Sequence, residues 1–526
     1  MIDRRGFLRG SAGTIGAAAL GTGALGSLAG CAPDAVGGTG VFTLGVTSGL
    51  HSPTEAVLWT RVEAANAPGV TSVGWEVASS PAFTTVLQSG TAPVSDATDG
   101  CVKVLVGGLD PDTSYWFRFT SGASSSTVGR ARTLPAPGSS PAELKLAFAS
   151  CQSFASGYYG AWRDIATKDL DFVLFLGDYI YESVLIQLLR RVRDEPTTEA
   201  DTLAEYRAKY RLYRSDADLQ AAHAAHPLVP IWDDHEIKND YDRLVFTDDP
   251  VRAAAAYQAW FEYMPVMPVA GTQIYRNLRW GDLGQLSLLD SRQYRDEALG
   301  EALLGILGLQ VMTGDLQAAG RSMLGATQRQ WLLDSFDQAQ SDGVTWKLVG
   351  NPVMIAPIRI QDLDTPQARI DDPTLPKHAG LYMGTDSWDG FGWERDLVLS
   401  HLDTAGIDNV AFLTGDNHSF WAAALTPDFD DPAAPKVAYE YTGGSITSPS
   451  GITENLLAGG LASYATQPPF DYGEIRFNGY GQVTCTPTSM SVTFHQLDPS
   501  NPWGTPSPKV RFDTVPGTVS PTITPL

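Results

Sequence analysis

Hydrophobic and polar positions follow two different patterns along the chain. From Phe42 to Thr133 they alternate in short runs. Examples are Ala56-Val57-Leu58-Trp59-Thr60-Arg61-Val62, Val73-Gly74-Trp75-Glu76-Val77 and Ser114-Tyr115-Trp116-Phe117-Arg118-Phe119, each bounded by Pro, Gly, Asp or Ser. Short strands with regular turn signals and no helical period predict a β-sandwich over residues 40–134. Gly108 to Tyr115 reads as the corner before a late strand of a fibronectin/Ig-like domain. Pro135-Ala136-Pro137-Gly138 is the linker.

From Glu143 onward, apolar runs alternate with helical stretches, the mark of βα units and an α/β fold. The helical period predicts one long amphipathic helix from Leu203 to Ala225 and another from Val251 to Tyr263. A third is predicted to start at Thr327 as N-cap, with Gln330 closing a capping box. Residues 143–500 form the predicted catalytic domain and 501–526 a C-terminal tail.

The chemistry stands at the ends of the apolar runs. Leu144–Ser150 ends on Cys151, Asp171–Gly177 on Asp178, and Leu228–Trp232 on Asp233-Asp234-His235-Glu236. Leu286–Leu289 ends on Asp290 with Arg292 beyond, Trp346–Gly350 on Asn351, and Val410–Gly415 on Asp416-Asn417-His418. Ligands of open α/β sheets bind outside the carboxyl ends of the strands, so six such runs predict one shared site. A single Asp at a strand end is usually a turn former. Six metal- or anion-competent ends of the same kind are not explained that way.

Carboxylates, an amide and an imidazole suit hard or borderline cations, while a thiolate and a phenolate favour a stronger Lewis acid such as Fe³⁺. Asp178 is the best candidate to bridge two ions, which together would clamp the attacking and leaving oxygens of a phosphoryl transfer. The nucleophile would be a metal-bound water or hydroxide. His235 would orient a phosphate oxygen or protonate the leaving alkoxide. Thiol catalysis by Cys151 with His235 or His418 is the competing reading, but it has no use for the surrounding carboxylates.

Composition narrows the setting. Of 526 residues, 43% are hydrophobic and 18% charged, as in a folded globular protein. The net charge of −23 argues against a nucleic-acid-binding surface or an anionic membrane as electrostatic partner. Arg4-Arg5 followed by an apolar, Gly- and Ala-rich stretch from Ser11 to Gly30 reads as a twin-arginine export signal over residues 1–31. The twin-arginine export machinery is then a partner, and the location is periplasmic, extracellular or lipid-anchored at the cell surface. Leu28-Ala29-Gly30-Cys31 fits a lipobox with Cys31 lipidated, and plain cleavage near Ala32 fits as well. Of the other three cysteines, Cys101 and Cys485 could pair or remain buried thiols.

Six strings together resemble the PhoD-type alkaline phosphatases of the calcineurin-like metallophosphoesterase superfamily. They are Ala149-Ser150-Cys151-Gln152, Gly177-Asp178-Tyr179-Ile180-Tyr181-Glu182, Trp232-Asp233-Asp234-His235-Glu236, Leu289 to Arg295, Trp346 to Pro352 and Gly415 to Trp421. The resemblance runs from about Phe42 to beyond Tyr480. It implies a two-sheet α/β sandwich with outer helices, and a centre of Fe³⁺ with Ca²⁺. By that resemblance Cys151, Tyr181 and His418 face the iron and Asp178 bridges. Asp234 and Asp416 hold calcium, with Asn351 as another second-metal ligand. His235 occupies the position of the phosphate-contacting histidine, and Arg292 is the further substrate-binding candidate.

The implied activity is hydrolysis of phosphate monoesters and diesters, best at alkaline pH. Two stretches depart from the pattern: Ala302 to Leu309, read as an apolar helix, and Val184 to Leu189. They raise the alternative of a phospholipase-D-like diesterase acting on lipids. A non-catalytic, metal-stabilised surface binding protein is the alternative from another class.

Overall fold

Valine-, leucine- and phenylalanine-rich runs with no polar face can only be buried on both sides, and such runs here become parallel strands covered by helices. A computed structural model describes residues 40–298, 302–304, 309–312, 318–362, 366–374, 380–382, 386–450 and 468–526. The export signal over 1–31 and Cys31 lie outside the described residues.

Two seven-stranded sheets form the catalytic region, and the architecture is α/β. In the first, Leu228–Ile231, Phe172–Leu176 and Leu144–Ala149 run parallel, followed by the antiparallel strands Asn478–Thr486, Ser489–Leu497, Ser507–Thr514 and Thr522–Pro525. In the second, Gly284–Leu288, Trp346–Asn351, Val410–Thr414 and Ala438–Gly443 are parallel. Arg276–Trp280, Phe420–Leu425 and Phe470–Glu474 flank them antiparallel. The sheets pack face to face. A Cβ on Gly443 would fall 2.6 Å from the Phe148 ring of the opposite sheet, so glycine permits the close approach.

The six runs singled out in the sequence are six of these parallel strands. Parallel strands in one sheet finish at one edge, so their chemistry-bearing ends gather there.

The N-terminal region is β-rich. Val46–Ser52, Glu55–Arg61 and Cys101–Val106 form a three-stranded sheet, and Ser72–Ala78, Val86–Pro93, Ser114–Ser121, Ser124–Ser125 and Gly129–Arg132 form a second. It is bonded to the catalytic region, since Trp59 donates its indole N–H to the Glu262 carbonyl at 2.8 Å and Arg214 reaches Thr47 at 3.0 Å.

Four expectations are corrected. The Leu203–Ala225 helix is two helices, Leu203–Arg214 and Ala217–Ala225. Asp216 accepts the amides of Asp218 and Leu219 and so starts a second N-terminus where the apolar period continues unbroken. The third helix spans Gly325–Ser341 with Leu324 at its N-cap, so Thr327 and Gln330 sit inside the first turns and form no capping box. The stretch 302–309 is not helical where it is described. Ala302–Leu304 and Leu309–Met312 are strands, because the latter pairs with Gly380–Tyr382, and residues 305–308 lie outside the described residues. Residues 501–526 are no tail, since Ser507–Thr514 and Thr522–Pro525 extend the first sheet. Cys101 and Cys485 are separate buried thiols.

Candidate metal centre

The loops after the parallel strands are bound to one another before any side chain is considered. The Cys151 amide donates to Gly177 O at 3.0 Å and the Gln152 amide to Asp178 O at 3.1 Å. Glu236, fully buried, accepts the amides of Asp178 (3.1 Å), Tyr179 (2.6 Å) and Asp233 (2.9 Å), and so fastens the Asp178 loop to its own. Gly177 has φ +99°, and a Cβ there would lie 2.4 Å from the Asp233 amide nitrogen, so only glycine allows these loops to touch.

Four of the expected ligands stand in left-handed backbone: Cys151 (φ 56°), Asp178 (58°), Asp416 (58°) and His418 (56°). This conformation is unfavourable for any residue with a Cβ, and such strain collects at functional sites where surrounding structure enforces it.

Three groups of donor atoms converge, each within 4.8 Å of one another: Cys151, Asp178 and His418; Asp178, Asp234 and His235; Asp233, Asp234 and Asp416. Asp178 belongs to two of them, in keeping with a bridge. Tyr181 joins the first group, its phenol oxygen 2.9 Å from Asp178 Oδ2 and 3.1 Å from His418 Nε2. His418 Nδ1 lies 2.8 Å from the Pro449 carbonyl, which can only accept. The proton therefore sits on Nδ1 and leaves Nε2 bare toward the site.

The electrostatics call for cations. Burial, with Asp178 and Asp416 beside it, drives the Cys151 thiol well above its ordinary range. Burial, Asp178 and Cys151 do the same to the Tyr181 phenol. Burial also pushes Asp233 up to about 8 against the pull of Arg292. Burial, Asp233 and Asp386 push Asp416 up. For Asp234, burial is outweighed by Arg292, His235 and the Asp240 amide, which hold its carboxyl below the usual range. Asp233 Oδ2 and Asp234 Oδ1 are buried without a hydrogen-bond partner. Unpaired buried carboxylate oxygens are costly, and a cation between them would satisfy both.

The donor sets fit the expected metals. Thiolate, phenolate and imidazole around a shared carboxylate suit Fe³⁺, and a ring of carboxylates suits Ca²⁺.

His235 is bonded to Glu182, Nδ1 to Oε2 at 2.6 Å. Burial lowers its basicity, but Glu182, Asp234 and Asp178 outweigh that and raise its pKa well above the ordinary value. Glu182 also accepts the Asn239 amide at 2.9 Å, so the carboxylate is held from two sides.

Arg292 departs from its expected role at an open substrate site. It is fully buried, with Nε on Asp233 and a terminal nitrogen 3.4 Å from Asp386, and it lies 3.8 Å from Asp416. Its guanidinium is first a counter-charge to the carboxylates, and one nitrogen, Nη2, has no hydrogen-bond partner.

Asn351 stands at its strand end, but its amide donates to the Val353 carbonyl and its oxygen accepts the Trp388 indole at 3.3 Å. Asp290 is turned inward, where it accepts the amides of Arg292 (3.2 Å) and Gln293 (3.1 Å) as a turn former does.

Sequence reasoning did not single out Asp233 as a ligand, nor Glu182, Asp386 and Ser448. Asp233 had a legible signal, since it precedes Asp234 directly at a strand end. Ser448 had none, because it reaches Tyr181 from 267 positions away in sequence.

Residues 146–494 match the PhoD-like phosphatase family, and residues 30–135 match the PhoD-like phosphatase N-terminal domain. Alkaline phosphatase D of Bacillus subtilis (strain 168) is 34% identical over 476 residues, covering 86% of this chain and 76% of that protein.

The chain belongs to the PhoD-like phosphatase family.

A solved structure of PhoD superposes with a TM-score of 0.79 at 30% identity, covering 92% of each chain. A purple acid phosphatase from yellow lupin (Lupinus luteus) seeds aligns with a TM-score of 0.51 at 8% identity, over 87% of this chain and 73% of that one, and so shares the fold alone. As a PhoD-like phosphatase the chain is a phosphoric ester hydrolase.

Proposed function

We propose that this PhoD-like phosphatase is exported and hydrolyses phosphate monoesters and diesters at a centre of Fe³⁺ with Ca²⁺, working best at alkaline pH. The observation that carries the reading is the sharing of Asp178 between a thiol–phenol–imidazole group and a group with Asp234 and His235, Asp234 in turn joining Asp233 and Asp416.

Cys151, Tyr181 and His418 would hold the iron, Asp178 would bridge, and Asp234 and Asp416, joined by Asp233, would hold calcium. Such cations supply Lewis acidity toward phosphoryl oxygens when bound. The side chains do the rest. His235, its Nδ1 proton held by Glu182, presents the other ring nitrogen to the ester and delivers a proton to the leaving alkoxide. Arg292 keeps the carboxylates close without letting them repel one another apart, its Nη2 facing Asp416 at 3.8 Å. Asn351 contributes by packing against Trp388.

The N-terminal β-rich region is read as a fibronectin/Ig-like spacer. Arg4-Arg5 supports twin-arginine export, and the lipobox at Cys31 supports a lipid anchor. Mass spectrometry of the mature N-terminus distinguishes an acylated Cys31 from plain cleavage. Among the described residues no helix is long and apolar enough to cross a membrane.

The purified, metal-loaded protein should hydrolyse p-nitrophenyl phosphate and bis-p-nitrophenyl phosphate, and a chelator should stop both. A protein that holds both metals and cleaves neither ester would instead be a binding protein.

A second reading has one observation in its favour. Leu185 and Leu188, on the single turn that follows the Tyr181 loop, are 68% and 83% exposed. An apolar rim beside the site favours lipid-like diesters. Cleavage of phosphatidylcholine in detergent supports it, and failure to cleave while bis-p-nitrophenyl phosphate is consumed removes it.

A further inference from the structure

The loop from Gly444 to Ser450 carries none of the six strand-end residues, yet it touches three of the groups that gather there. Its backbone lies against the Cys151 loop: the Ile446 amide donates to Ser150 O at 2.9 Å, and those of Thr447 and Ser448 donate to Cys151 O at 3.3 and 3.1 Å. Its outer side is tied down independently. Asn478 donates to the Ser448 carbonyl at 2.8 Å, Thr447 donates its hydroxyl to Ser153 O at 2.7 Å, and Arg190 donates to Thr447 O at 2.5 Å. The loop is thus held in place without help from the side chains it serves.

Two of its residues face the thiol–phenol–imidazole group with opposite polarity. The Pro449 carbonyl accepts the Nδ1 proton of His418 at 2.8 Å. The Ser448 hydroxyl stands 2.6 Å from the Tyr181 oxygen. The same oxygen accepts the Ser153 amide at 3.1 Å, and Tyr181 directs its own proton to Asp178 Oδ2 at 2.9 Å. The single hydroxyl proton is left to point at Tyr181.

Tyr181 is fully buried, and its oxygen is also close to Asp178 and His418. Neither can donate to a phenolate: Asp178 is a carboxylate, and His418 Nε2 carries no proton. Ser448 is then the donor that a deprotonated Tyr181 would meet among the described side chains that touch its oxygen.

We propose that Ser448 is a positioning residue that sets how strongly Tyr181 donates to the cation it faces. This rests on the reading of Tyr181 as an Fe³⁺ ligand. A hydrogen bond donated to an anionic ligand draws electron density from it, and one accepted from a ligating imidazole makes that ligand more basic. Ser448 weakens the phenolate as a donor while Pro449 strengthens His418. The loop thus adjusts the two ligands in opposite senses, and through Ser448 it limits the charge that Tyr181 gives to the cation.

The test is spectroscopic. Iron-loaded protein is compared with iron-loaded Ser448→Ala and Ser448→Thr, reading the visible phenolate-to-iron charge-transfer band and the Fe³⁺/Fe²⁺ potential. Loss of the hydroxyl should move the band to longer wavelength and the potential downward, and threonine should restore both. A wild-type band that does not move in Ser448→Ala overturns the proposal. No band in iron-loaded wild type overturns the Tyr181–iron reading beneath it. If Ser448→Ala does not fold, the wild-type protein decides the matter. Its phenolate C–O stretch by resonance Raman should shift after full exchange into D₂O, and an unshifted stretch overturns the proposal.

Discussion

The two halves of the centre differ in what surrounds their buried donors. On the Cys151–Tyr181–His418 side the thiol and phenol are pushed toward their neutral forms by burial, and each has a hydrogen-bonding neighbour, Ser150 for Cys151 and Ser448 for Tyr181. On the Asp233–Asp234–Asp416 side the carboxylates stay crowded, with Arg292 among them and oxygens left without partners. One half sets its donors against serine hydroxyls, and the other crowds its carboxylates around a guanidinium. A single site can therefore hold two unlike metals: loss of the thiol and phenol protons suits a strong Lewis acid on one side, and crowded carboxylates, with Asp234 held below the usual range while Asp233 and Asp416 must first lose protons, suit a hard divalent ion on the other.

Asp178 groups with Cys151 and His418 on one side and with Asp234 of the carboxylate half on the other, so its loss should have the largest effect. Asp178→Asn is expected to lower phosphatase turnover by more than the roughly 100-fold that loss of a supporting residue costs. Elemental analysis of the same variant should show both metals depleted. Retention of either metal at wild-type level would mean that Asp178 does not serve both halves.

Arg292 serves the carboxylate half alone. Replacing it by Met leaves buried carboxylates without their partner, and breaking a buried pair costs about 3–5 kcal/mol. Denaturant unfolding of the metal-free variant should show that loss, and added Ca²⁺ should recover much of it. Equal stability with and without Arg292 would show that the carboxylates repel one another little.

How much of this was legible is clearest from particular residues. Strand ends are local, so Cys151, Asp178, Asp234, Asp416 and His418 could be read one run at a time. Tyr181 and His235 followed from their neighbours and the family resemblance. What could not be read depends on tertiary placement. Arg292 carries a side chain suited to phosphate, and only its burial against Asp233 shows that it first neutralises the protein's own charge. Ser448 and Glu182 act across sequence separations that no local pattern records. The same limit applies to the fold. The alternation of strands and helices was plain, but the break at Asp216 was hidden by an apolar period that continues through it. The strands after residue 501 are visible only through their partners in the first sheet.

The pH dependence of metal binding sharpens the comparison. Asp233, pushed up to about 8, and Asp416, also raised, must each lose a proton to bind a cation. Calcium affinity of the metal-free protein should therefore climb with pH, by up to about tenfold per unit for each proton released, and level off above the raised values. Calcium titrations from about pH 6 to about pH 9, with proton release recorded, check this. A flat profile would contradict the crowded-carboxylate half.

The smallest effect lies outside both halves and serves as a control. His226 is pushed down to about 4 by burial, with Arg130 facing its Nδ1 at 3.4 Å and its Nε2 proton donated to the Ile165 carbonyl at 3.0 Å. The folded state takes up its proton later than the unfolded state, whose value is 6.5. Stability from this residue is full above that value and is lost as pH falls toward about 4. Comparing His226→Gln with wild type by thermal unfolding across this window should show a shallower acid loss in the variant. Identical slopes would assign the acid loss to other groups.

The central claim is that one edge of the sheets holds two different metals in two different half-sites. Elemental analysis of the exported protein beside Cys151→Ala and Asp416→Asn tests it most directly. The account predicts iron and calcium in the wild type, iron lost with calcium retained in Cys151→Ala, and calcium lost with iron retained in Asp416→Asn. Equal iron and calcium in all three proteins would contradict it.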